Sequence, residues 1–202
     1  MALASLGACL LAAPFGAGRT HRDGGPRDSS KAAETIFLGA FSMTYRINRL
    51  ELEPATNTED VKRLDRVAKP DREFMEGVLK TTSIPERPHP WGTYIARESD
   101  GTIVGACCFK RTPEGREVEI AYATLPSREG QGWGRNMVLS LVEMCRERGV
   151  VDRVVAHTLP TENASTSILR KCGFCIEGEM IDPEDGVVWR WILNIGPLRQ
   201  RE

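Results

Sequence analysis

The residues of this chain whose types and spacing could do chemistry crowd into one stretch, Glu129-Gly130-Gln131-Gly132-Trp133-Gly134-Arg135-Asn136. Three glycines at alternate positions let the backbone turn until several N–H groups converge, and the helical pattern that follows adds the positive end of its dipole. A turn of that kind binds a pyrophosphate. Taken alone, it also fits a dinucleotide site or a plain tight turn, although the Walker lysine followed by Ser or Thr and the spaced GxGxxG pattern are both missing.

Other side chains have weaker claims. Glu119 interrupts the apolar run Val118 to Ala123, where burial penalises an ionised group; its pKa is expected to rise toward neutrality, as a general base requires. The competing reading pairs it to an arginine on a solvated face that it shares with Glu117. Ser165 opens a helical pattern and could donate a hydrogen bond to a leaving group, or bond within its own first turn. His157 could touch a substrate and His89 could shape a pocket, but a satisfied core histidine is the commoner case. Cys107, Cys108, Cys145 and Cys172 fall at apolar positions and read as reduced core thiols. The one CxxC, Cys172 to Cys175, has no second half to complete a zinc site, so no metal is expected.

These residues need elements to position them. Thr44 to Glu53 alternates as a strand, and Asn57 or Thr58 caps a helix carrying Val61, Leu64 and Val67 that Pro70 closes. A short helix, Asp71 to Lys80, precedes the loop Ser83 to Pro90. Trp91 to Arg97, Thr102 to Arg111 and Glu117 to Leu125 read as an antiparallel meander turned at Ser99-Asp100-Gly101 and Pro113-Glu114-Gly115. A helix from Gly132 to Arg148, a buried strand from Asp152 to Thr158 and a helix from Asn163 to Lys171 follow. Two last strands, Phe174 to Ile181 and Val187 to Leu193, flank Pro183-Glu184-Asp185-Gly186. The expected class is α/β (α+β): a mixed, mostly antiparallel sheet of six to seven strands with helices on both faces.

At 202 residues, 41% hydrophobic and 27% charged, the chain suits one soluble domain, and a net charge of −1 offers no footprint for nucleic acid. Ala2 to Ala17 is apolar, yet no Lys or Arg precedes it and it is too short to span a bilayer. Residues 1–42 are therefore expected to be a disordered extension or a start assigned too early, with 43–196 the domain and 197–202 a tail. No membrane partner and a cytoplasmic location are expected.

With both halves in view, Thr44 to Asn194 resembles the GCN5-related N-acetyltransferase (GNAT) superfamily. Its motif A is similar to Glu119-Ile-Ala-Tyr-Ala-Thr-Leu-Pro126 with Glu129-Gly-Gln-Gly-Trp-Gly134, and its motif B to Asn163-Ala-Ser-Thr-Ser-Ile-Leu-Arg-Lys-Cys-Gly-Phe174. The helix ending in Gly-Phe, and Gly178-Glu179 after it, are similar to the branch that acetylates ribosomal-protein N termini. Three departures stand out. Glu129 replaces the usual Arg or Gln, leaving phosphate binding to the backbone. Glu162 stands where the branch often has its Asn, and Leu169 and Arg170 occupy the vicinity of the tyrosine acid.

The resemblance implies a GNAT fold and transfer of acetyl from acetyl-CoA to a primary amine, be it a protein N terminus, an amino acid or a small amine, by direct attack. A CoA-binding regulatory module without catalysis is the alternative, and a monomer or homodimer is expected. Tyr122, Ala123, Thr124, Gln131, Gly132, Trp133, Gly134, Arg135, Asn136 and Asn163 would hold the coenzyme. An amine of pKa about 10.4 is neutral at roughly one part in 2,500 at pH 7, so Glu119 would serve as base, as carboxylates on this strand do through a water. Ser165 would hydrogen-bond or protonate the departing thiolate, and main-chain N–H groups of Tyr122 to Thr124 would receive the oxyanion.

Overall fold

The computed structural model describes residues 34–38, 42–47, 49–55, 64, 67–83 and 87–196. In chain order the strands are β1 (Glu34–Leu38), β2 (Ser42–Ile47), β3 (Leu50–Ala55), β4 (Thr93–Glu98), β5 (Ile103–Phe109), β6 (Glu117–Thr124), β7 (Arg153–Thr158), β8 (Cys175–Asp182) and β9 (Gly186–Asn194). The helices are α1 (Lys69–Thr82), α2 (Trp133–Arg148) and α3 (Ala164–Lys171). One nine-stranded sheet runs in the order β1-β2-β3-β4-β5-β6-β7-β9-β8. Every neighbouring pair is antiparallel except β6 and β7, which α2 connects as a parallel crossover.

Nine strands exceed the six to seven expected. The strand read as Thr44 to Glu53 is a hairpin, β2 and β3, whose ladder closes at Ile47 opposite Leu50 with Arg49 at φ 68. β1 pairs with β2 from within the stretch expected to be disordered. The expected helix from residue 57 to 67 lies mostly outside the described residues. Pro70 opens α1 rather than closing the helix before it, because the first helical turn has no use for the N–H that proline lacks. β9 inserts between β7 and β8, where its Val188 and Trp191 are buried, and β8 is left as an exposed edge.

Alternation along the strands separates two cores. Tyr94, Val118, Ile120 and Val154 pack with Met137, Leu141 and Cys145 of α2 and Leu169 of α3. Ile95, Ala106 and Ala123 pack on the other face with Met75, Val78 and Leu79 of α1. A bulge keeps β5 in step: Ile103 faces Arg97 and Gly105 faces Ala96, so Val104 is the extra residue and joins the α2 side. Helices thus cover both faces. Glu119, Ala121 and Ala123 point to the face away from α2. Among the described residues no helix is long and apolar enough to cross a membrane.

Candidate active site

β6 and β7 pair only from Glu117 opposite Arg153 to Glu119 opposite Val155. Beyond that rung Ile120 to Thr124 keep β5 as partner, while Ala156 to Thr158 keep β9. The two strands therefore part, and main-chain groups line a wedge whose apex lies at Glu119. β6 then leads through Leu125 and the 3-10 turn Pro126–Arg128 to the glycines, Gly130 at φ 72 and Gly132 at φ 87, and into α2. Left-handed φ values of that size favour glycine, and Gly132 as N-cap brings no side chain to satisfy the N–H groups of the first turn. N–H groups left open in this way at a helix N-terminus favour an anion.

Asp71, buried in the first turn of α1, fixes this approach: its Oδ2 accepts from Ser127 Oγ at 2.5 Å and its Oδ1 from Ser127 N at 3.3 Å. Only the fold brings residues so distant in sequence together. The Gln131 amide oxygen accepts from Trp133 Nε1 at 3.3 Å, and the Trp133 ring enters the core, so neither indole nor amide extends freely into the turn. A Cβ on Gly134 would stand 2.9 Å from Ile168 Cδ1 and 3.3 Å from Thr124 Oγ1. Its missing side chain therefore serves the close approach of α2 to β6 and α3. Arg135 is exposed and Asn136 half-buried beside it.

Around Glu119 the expectation of a raised pKa is overturned. The side chain is only 7% exposed, yet Lys110 Nζ lies 2.8 Å and His157 Nδ1 3.0 Å from Oε1, and Arg111 Nη2 lies 3.4 Å from Oε2. Burial pushes the carboxyl up, but the hydrogen bonds and charges of His157 and Lys110 outweigh it and hold it at about 2. A carboxylate so pinned is a permanent acceptor and a poor base near neutrality.

Motif B residues divide their work differently from expectation. Asn163 caps α3, its Oδ1 accepting from Thr166 N at 3.0 Å while Thr166 Oγ1 accepts from Asn163 N at 2.9 Å. That box leaves the half-buried Ser165 hydroxyl without a hydrogen bond in the described structure, while the Ser165 carbonyl accepts from Tyr122 OH at 3.3 Å. Burial raises the Tyr122 phenol well above its ordinary value. Tyr122 and Thr124 are half-buried and Ala123 buried along the parting edge of β6. Glu162, in place of the branch's Asn, is bidentate to Arg170.

His89 belongs elsewhere. Its Nε2 meets Tyr45 OH at 2.8 Å, and Tyr45 also accepts from Arg148 at the far end of α2, a helix length of about 24 Å from the glycine turn. It packs against the rings of Tyr45 and Tyr94. His157, in contrast, joins Glu119 at the wedge. The signal for that pair was parity on two adjacent parallel strands, legible only once their register is known.

Residues 55–174, more than half of the chain, match the family described as Acetyltransferase (GNAT) family. No curated protein matches the sequence. Among solved structures, RimJ from Mycobacterium smegmatis in complex with CoA-disulfide is 16% identical over 84% of this chain and 93% of its own, with a TM-score of 0.59. An acetyltransferase from Salmonella typhimurium that modifies the N-terminal serine of a 50S ribosomal subunit protein is 18% identical, covering 73% of this chain and 96% of its own at a TM-score of 0.58. A chimera of Vibrio cholerae spermidine N-acetyltransferase SpeG is 12% identical over 73% and 96%, with a TM-score of 0.55. At such identities the likeness is one of fold.

Proposed function

The chain belongs to the GNAT family of acetyl-CoA-dependent N-acetyltransferases, and from that premise we propose that it passes acetyl to a primary amine by direct attack on the thioester. One observation carries the reading: the β6–β7 wedge ends at a buried ionic cluster, while its wide end meets the uncapped N-terminus of α2. A linear coenzyme suits that shape. The N–H groups of Gly132 to Asn136 would receive the pyrophosphate, the parting edge Tyr122 to Thr124 would pair with the amide-bearing arm, and the thioester would reach the apex. The N–H groups of Tyr122 and Thr124, which alternate away from β5, would also be donors for the developing oxyanion.

Ser165, with a hydroxyl that no helix cap uses, is suited to hydrogen-bond the departing thiolate, which has an ordinary thiol pKa of about 8.5 and needs only modest help. Exposed Arg135 adds positive charge beside the phosphates. Asn163, though committed through its oxygen to capping, keeps its amide N–H groups for the coenzyme. Fold relatives that act on a protein N-terminal serine and on spermidine support a primary amine as acceptor.

Calorimetry and thiol release test this together. Acetyl-CoA should bind in preference to ATP or NAD, and a panel of N-terminal peptides, polyamines and aminoglycosides should include an acceptor that releases free thiol. Binding of ATP or NAD without acetyl-CoA would sink the proposal. Tight acetyl-CoA binding with no release from any acceptor would make the chain a coenzyme-binding module instead.

A further inference from the structure

Resting on the acetyl-transfer reading, we propose that Nε2 of His157 is the base that takes the proton of the attacking amine, with Glu119 the residue that positions it. The placement comes from register. Glu119 stands opposite Val155 on the last β6–β7 rung, and His157 lies two residues further along β7 on the same face. Its ring reaches back to Glu119 Oε1 and so bridges the two strands where they part.

The state of the ring follows from its partners. Lys110 and Arg111 saturate the Glu119 carboxylate from the segment after β5, so the carboxylate accepts and does not donate. Nδ1 must then carry the ring proton, and the neutral imidazole presents its lone pair at Nε2. That atom is buried and has no hydrogen-bond partner, in a ring whose side chain is 11% exposed. A brace histidine ordinarily finds a donor, acceptor or water for its second nitrogen. Here the missing partner is a donor, and because the free protein closes the atom to solvent, the ring edge must open toward the apex for an amine N–H to supply it.

The step balances. The amine nitrogen's lone pair forms the C–N bond, its N–H proton goes to Nε2, and the C–S bond breaks with its electron pair left on sulfur. The thiolate is then protonated, so the amine's proton and the thiol's account for each other. Besides Glu119, Lys110 and Arg111, the charged groups around His157 are Asp182 at the end of β8, whose carboxylate senses both Lys110 and His157, and Arg190, its cross-strand neighbour on β9.

His157→Asn separates base from brace, because the Asn amide can still donate to Glu119 but has nothing in place of Nε2. The rate kcat/KM for an accepted amine should fall roughly 100-fold or more, with acetyl-CoA affinity by calorimetry unchanged. In Glu119→Gln, 15N NMR should show the proton of the neutral ring no longer confined to Nδ1, because the amide can donate as well as accept. A merely structural Glu119 would leave the tautomer as it is. Should His157→Asn fail to fold, 15N NMR of the unaltered protein decides, with the proton expected on Nδ1 in the neutral ring. Full activity in His157→Asn, or the proton found on Nε2, overturns the inference. Absence of acetyl-CoA binding by the unaltered chain fails the acetyl-transfer reading itself, a result distinct from either.

Discussion

On the Glu119 carboxylate three basic side chains converge, from β7 and from the segment after β5, and the charge has a measurable consequence for stability. Its pKa is depressed in the folded chain from 4.5 to about 2. The stabilisation is therefore complete above the unfolded value and is lost as the pH falls through about 2, with a size on the order of 3 kcal/mol. Urea unfolding of the natural chain and Glu119→Gln should show a gap of that order at pH 7 that narrows steadily between pH 4.5 and pH 2. A gap that stays constant across this window would mean that the carboxylate is not held as described. Sequence made Glu119 conspicuous as a charge in an apolar run, but not its sign of perturbation, because the cations that reverse it approach across strands.

Among the elements, α3 has the most to separate, since its first turn serves both helix and candidate site. Asn163 and Thr166 close a reciprocal capping box there. Asn163→Ala should cost about 1 kcal/mol in thermal or urea unfolding. Asn163→Asp should keep the cap and the stability, because a carboxylate also accepts from Thr166 N and suits the positive helix end. If the amide N–H groups also contact coenzyme, the same Asp variant will bind acetyl-CoA more weakly; equal affinity would confine Asn163 to capping. The boundaries of α2 and α3 were legible in the sequence because caps and stops are local chemistry: Asn163 before α3, Gly149 after α2. The β2–β3 hairpin was not: the apolar positions change phase from Tyr45 and Ile47 to Leu50 and Leu52, but no glycine marks the turn between them.

For the whole molecule, the nine-stranded sheet holds two cores that shelter most of the described thiols. Cys107, Cys108 and Cys145 are buried, Cys172 is half-buried and Cys175 is exposed, while Cys9 lies outside the described residues. Burial pushes the Cys108 thiol up to about 11 and Cys145 to about 12. Alkylation followed by mass spectrometry should modify Cys175 first among these five and spare Cys107, Cys108 and Cys145 until the chain unfolds. Labelling of that buried trio as fast as Cys175 would contradict the packing. The sequence by itself determined the glycine turn, the spans of α2 and α3, most strands and the family, since each rests on neighbours within a few residues. Only the tertiary structure decided that β9 slips between β7 and β8, that Asp71 holds Ser127, and that the parting of β6 and β7 sets His157 against Glu119. Those facts depend on register between segments remote in the chain, which hydrophobic period and turn chemistry do not encode. The turn at Gly130 and Gly132 could thus be found by reading, whereas the proton acceptor proposed beside it required the strands to be laid side by side.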